Sequence, residues 1–147
     1  MYSHLLVTLD GTPRAESVIP HAMDIARTMH AEVTLLRIVD AASGEWSERG
    51  AMGRSHVEAS AKSQYIDQAM LYLERVADQL RGSGIEAHTI VAQGQPAKQI
   101  AATAKRVEAD VIAMATHSRH GLNKLMFGSV AEAVMHETSL PILLVRS

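Results

Sequence analysis

The chain contains no cysteine. That excludes a disulfide framework, thiolate-held zinc and thiol catalysis, and it agrees with a reducing compartment. Aromatic residues make up only 3%, too few for base stacking to be a main mode of nucleic-acid binding. An excess of one charge is also missing. The formal net charge is -2, so neither a basic face for nucleic acid nor an acidic disordered tail is expected. No apolar run approaches the ~18–20 residues of a membrane span. The opening MYSHLLVTLDG lacks the basic start, long apolar stretch and small-residue cleavage site of a secretory signal. A cytoplasmic location is the expectation. Apolar residues, by contrast, make up 47% of 147 residues, enough to build the core of one domain spanning residues 1–147.

Two kinds of segment alternate along the chain. Residues 4–9 form a short apolar run closed by Asp10-Gly11-Thr12-Pro13, where Thr12 can cap a helix with Pro13 in its first turn. Val18, Ala22, Ile25, Ala26 and Met29 then recur at helical spacing. Residues 32–39 (EVTLLRIV) read as a second strand, and residues 41–57 as a long exposed loop rich in glycine, serine and charge. Helical periodicity returns over 58–81 and stops at Gly82-Ser83-Gly84. Residues 85–92 read as a third strand whose polar positions suggest a sheet edge. Gly94-Gln95-Pro96 opens a helix to about residue 108. Residues 110–115 (DVIAMA) are apolar without alternation, as in a strand buried on both faces. A polar loop, a helix from Ser129 to before Pro141, and a strand over 142–145 complete the chain.

The order β-α-β-α-β-α-β-α-β predicts an α/β fold. It is a doubly wound five-strand parallel sheet with helices on both faces and right-handed crossovers. For strand order 3-2-1-4-5, the chain reverses direction between strands 1 and 4. A crevice then opens at their C-terminal ends, bordered by the loops 10–13 and 116–128.

Several residues at that crevice could carry chemistry. Gly128-Ser129-Val130-Ala131-Glu132 has the form of a capping box, with Ser129 starting a helix and Glu132 reaching back. The same helix start could instead present its N–H groups to phosphate, with Gly128 allowing close approach. Glu132 places a negative charge in that first turn. Asp10 is either a turn residue before glycine or a crevice carboxylate able to accept ribose hydroxyls or hold a hydrated cation. His117 and His120, with Arg119 between them, could face phosphate or line a solvated loop; without an evident third ligand they make a poor zinc pair. Phosphate-loop, dinucleotide, zincin and nucleophile-elbow motifs are all missing, and no acid/base carboxylate pair appears. Met52, Met70, Met114, Met126 and Met135 read as packing residues, and Trp46 as a local anchor or a partner contact.

These residues resemble the universal stress proteins from Leu5-Leu6-Val7-Thr8-Leu9-Asp10-Gly11-Thr12 to Pro141-Ile142-Leu143-Leu144-Val145. The most specific stretch is MATHSRHGLNKLMFGSVAE over residues 114–132. Nucleotide-binding members carry G-x2-G-x9-G-[ST] there. The matching positions here are Ala115, Ser118, Gly128 and Ser129, so the spacing is kept while both leading glycines are replaced. The resemblance implies an adenine nucleotide alpha hydrolase-like fold and ATP bound in the crevice. By that resemblance Asp10 meets the ribose, and Thr8, Leu9, Ile38 and Val39 frame the adenine pocket. Met114 and Ala115 close the pocket, while Ser118, Gly128, Ser129 and Val130 hold the phosphates, with His117 and Arg119 in the same loop. It also implies Mg2+ or Mn2+ on the phosphates and a homodimer through residues 142–146.

The function so implied is an ATP-binding stress-response sensor or regulator, with weak ATP hydrolysis at most and no catalytic residue assigned. The alternative is a dimer of the same fold that binds no nucleotide and acts through protein contacts. A small hydrolase is the weakest reading, because no nucleophile and base pair up.

Overall fold

A computed structural model of the chain describes residues 1–39, 55–116 and 128–147, with side chains of the long second helix described from residue 62 onward. The strands are β1 (His4–Thr8), β2 (Glu32–Val39), β3 (Ala87–Gln93), β4 (Val111–Thr116) and β5 (Ile142–Arg146). The helices are α1 (Val18–Met29), α2 (Ser55–Gly82), α3 (Pro96–Arg106) and α4 (Ser129–Glu137). All strand pairs are parallel, in the order β3-β2-β1-β4-β5, as the alternating pattern predicts.

Side chains alternate across the sheet and build two cores. Leu5, Val7, Val33, Leu35, Val111 and Ala113 pack on one face with Val18, Ala22 and Ala26 of α1 and Leu73, Ala77 and Leu80 of α2. Leu6, Leu36, Ile112 and Met114 pack on the other with Ile100 and Ala104 of α3 and Ala131 and Val134 of α4. The unbroken apolar run of β4 is thereby explained: Val111 through Met114 are all buried. β3 and β5 are the edges of the sheet.

Local chemistry sets the helix ends, and the starts of α1 and α2 differ from the sequence expectation. Thr12 does not cap α1. Its hydroxyl instead accepts the Ala15 N–H at 3.2 Å, and a 3-10 turn over Ala15–Ser17 leads into the helix. Pro20 is accommodated because it falls in the first turn, where N–H groups have no intrahelical partner. Residues 55–57, expected as loop, are the first residues of α2; Gly53 is the last helix-breaking residue before them. The rest of the loop over 41–57, with Trp46, lies outside the described residues. α3 starts as expected: Gln95 accepts the Lys98 N–H at 2.8 Å and Pro96 occupies the first helical position.

Candidate functional site: the crevice between β1 and β4

Hydrogen-bond partnerships at the C-terminal ends of the central strands create the opening. β1 and β4 pair through Leu5↔Val111, Leu6↔Ile112 and Val7↔Ala113 and then part. Beyond that point β1 stays with β2, through Thr8↔Leu36 and a Leu9 N–H to Leu36 carbonyl bond of 2.9 Å. β4 stays with β5 as far as Thr116↔Arg146, followed by a Ser147 N–H to Thr116 carbonyl bond of 3.2 Å. Thr8–Asp10 and Met114–Thr116 therefore form opposite lips of a mouth at the place where strand order reverses.

The expected pocket residues reach this mouth by different routes. Leu9 and Val39 are buried, whereas Thr8 and Ile38 are half-buried. Met114 is 4% exposed and packs with α3 and α4, so its side chain serves the core. Ile38 packs on that same face, while Leu9 belongs to the opposite core. The named side chains thus divide between two faces, and what they offer in common at the strand ends is backbone. Ala115 is half-buried in ordinary extended strand. Its replacement of glycine therefore costs no backbone strain, because the described positive-φ residues other than glycine are His30 and Glu108 alone. His117, Ser118, Arg119 and His120 lie outside the described residues.

Asp10 sits exposed at the lip and shapes the loop that follows. Its Oδ1 accepts both the Thr12 N–H at 2.9 Å and the Thr12 hydroxyl at 2.6 Å. The turn reading of Asp10 is therefore realised, by one of its two oxygens. Gly11 turns at φ +85, and a Cβ there would come within 3.1 Å of Arg37 Nη1.

Arg37 went unremarked in the sequence reading, although it is the only cation in β2. Its guanidinium lies 5.7 Å from the Tyr72 ring centroid, and Arg75 lies 5.9 Å from the same ring. The Tyr72 hydroxyl donates to Glu16 Oε1 at 3.1 Å. Burial, then the Glu16 hydrogen bond and the charges of Glu16 and Asp10, push the Tyr72 phenol far above its ordinary range; Arg37 pulls the other way. Arg37, Tyr72 and Glu16 thus brace the Asp10-Gly11-Thr12 turn from the α2 side.

On the far lip the capping box does not form. Gly128, not Ser129, is the cap residue, at φ 40 and ψ 149, and among the described residues no side chain caps the start of α4. Ser129 is already helical, and the Glu132 N–H goes to the Gly128 carbonyl at 3.1 Å. The reason is conformational. Gly128 adopts a backbone geometry that L-residues rarely adopt, so the chain enters the helix one residue earlier than a serine cap would allow. Among the described residues the first N–H groups of α4 have no side-chain cap, and Ser129 and Val130 are exposed beside them.

A doubly wound parallel α/β protein with an open switch-point crevice and an uncapped helix at its rim defines the class. Comparison with known proteins then specifies it. A profile described as the universal stress protein family matches residues 1–146. The chain is 27% identical to universal stress protein MJ0531 of Methanocaldococcus jannaschii over 153 residues, covering 99% of this chain and 83% of that one. The solved structure of MJ0577, from the same organism, superposes with a TM-score of 0.82 at 25% identity, covering 100% of this chain and 97% of that one. A universal stress protein solved in complex with cAMP gives a TM-score of 0.67 at 17% identity, with 99% and 97% covered. The chain belongs to the universal stress protein family.

Proposed function

We propose that the crevice binds an adenine nucleotide, with ATP as the ligand, and that the protein acts as a stress-response sensor or regulator. The observation that carries the reading is the start of α4, where Gly128 at φ 40 is the cap residue and, having no side chain, leaves the first N–H groups uncapped by its own position. Such a helix end suits phosphate by hydrogen bonding and by its dipole. A relative of the same fold solved with cAMP supports adenine as the base. In this reading Thr8, Leu9, Ile38 and Val39 frame the adenine, largely through backbone groups, with Met114 and Ala115 closing the pocket. Asp10 accepts the ribose hydroxyls through its oxygen not engaged by Thr12. Ser118, Gly128, Ser129 and Val130 take the phosphates, together with His117 and Arg119. Mg2+ or Mn2+ would offset phosphate charge, and Asp10 is the carboxylate at hand for its hydration shell. The protein works as a homodimer through Ile142–Arg146, an edge strand whose half-buried Ile142, Leu143, Leu144 and Val145 favour pairing.

Titration calorimetry of nucleotide-free protein with ATP, with and without Mg2+, tests the reading. Saturable binding that Gly128→Val abolishes, with an unchanged circular dichroism spectrum, is the expected result. No heat at millimolar ATP would favour the alternative, a dimer acting through protein contacts, for which the charge of Glu132 in the first turn of α4 speaks.

A further inference from the structure

A second cluster of chemically active side chains lies at the opposite end of the sheet from the crevice. His4, Glu32 and His88 come from the adjacent strands β1, β2 and β3, and Glu86 directly precedes β3. The register pairs His4 with Glu32 and Thr34 with His88, which places the group in a row across the strand starts. His88 Nε2 lies 3.2 Å from Glu32 Oε2 and 3.2 Å from Glu86 Oε1. One ligand atom each from Glu32, Glu86 and His88 falls within a 4.8 Å span.

The inner half of the cluster is preorganised. His4 is buried at 7% exposure, and its Nδ1 lies 3.0 Å from Glu32 Oε1. Because an ionised carboxylate only accepts, Nδ1 carries the proton, and Nε2 accepts the Thr34 hydroxyl at 2.7 Å when His4 is neutral. Glu32 is thus held by one oxygen from behind and presents the other to His88. Metal-ligating carboxylates are commonly oriented in this way.

The geometry points to a divalent transition-metal site formed by Glu32, Glu86 and His88, with His4 as the positioning residue behind Glu32. The edge of a tetrahedron whose centre lies ~2.0–2.1 Å from its ligands is roughly 3.3–3.4 Å, close to the two 3.2 Å separations around His88 Nε2. The ion sits between His88 Nε2 and the two carboxylate oxygens, and the charges of Glu32 and Glu86 balance its own. Glu86 and His88 are exposed, so water completes the coordination. A mixed imidazole and carboxylate set suits Zn2+, Co2+ or Ni2+ better than Mg2+.

Co2+ titrated into the full chain reads the site directly, through the visible d–d absorption of a low-symmetry complex and its loss on adding Zn2+. The chain has 8 histidines, so the variants carry the decision. His88→Ala and Glu86→Gln should each weaken Co2+ binding at least tenfold and remove the absorption. His136→Ala, on exposed α4, should change neither. All three keep the wild-type circular dichroism spectrum, since each side chain is exposed. A wild-type protein that binds no Co2+, or a His88→Ala variant with unchanged affinity and spectrum, would overturn the assignment.

Discussion

Replacing Asp110 by alanine removes three hydrogen bonds that join the foot of β4 to the start of β1. Oδ2 accepts the Ser3 N–H at 2.7 Å and the Ser3 hydroxyl at 2.8 Å, and Oδ1 accepts the His4 N–H at 3.2 Å. Asp110 is half-buried and partly open to water, so each bond is worth roughly 0.5–1 kcal/mol rather than the full value of a charged acceptor. Asp110→Ala should then cost about 2 kcal/mol, which for a chain of this size lowers Tm by roughly 6 °C near pH 7. Ser3→Ala removes only the hydroxyl bond and should cost about a third as much. Burial acts to raise the Asp110 pKa, but the bonds from Ser3 and His4 outweigh it and hold the carboxyl below its ordinary value. A depressed folded pKa contributes stability that is complete above the unfolded value and is lost as pH falls through the folded one. The gap between wild type and Asp110→Ala should therefore be constant from about pH 5 upward and narrow below about pH 4. Chemical denaturation at a series of pH values measures it. A gap under ~0.5 kcal/mol at pH 7, or one undiminished in acid, would refute the assignment of these bonds to the ionised carboxylate.

Leu36 is fully buried between α3 and the centre of the sheet, so Leu36→Ala should cost roughly 2–5 kcal/mol by urea denaturation. Gly11→Ala meets a left-handed φ and the Arg37 guanidinium together; it should lose roughly 1–2 kcal/mol, and nucleotide affinity should fall as the Asp10 turn shifts. Tyr72 should remain neutral well past the ordinary tyrosine pKa of about 10 in an alkaline absorbance titration, because burial and Glu16 raise its pKa. That raised value contributes stability fully present below the unfolded pKa of about 10 and lost only as pH passes the folded one. Tyr72→Phe should remove the late-titrating group.

Periodicity determined most of this architecture without help from tertiary structure. The unbroken apolar run over Val111–Ala115 marks a strand covered on both sides, and the spacing of Val18, Ala22 and Ala26 marks a helix face. Alternation of such segments leaves few topologies, which is why the strand order and the crevice between β1 and β4 were legible. Cap and turn chemistry was less so. Ser129 and Glu132 spell a capping box, yet α4 starts at Ser129 with Gly128 as its cap residue, and Thr12 accepts the Ala15 N–H at the start of a 3-10 turn instead of capping α1.

Tertiary structure alone decided which distant residues meet. Arg37 and Tyr72 converge behind Gly11 from a strand and a helix far apart in sequence. His4, Glu32, Glu86 and His88 have no motif spacing, because parallel register across three strands brings them together, not proximity along the chain. At the first position of the glycine pattern, extended β4 backbone holds Ala115 without strain, a fact its sequence position could not carry. Sequence determines local conformation and which faces are apolar, since those depend on neighbours within a few residues. Shared sites depend on register and crossover, which only the packed sheet sets.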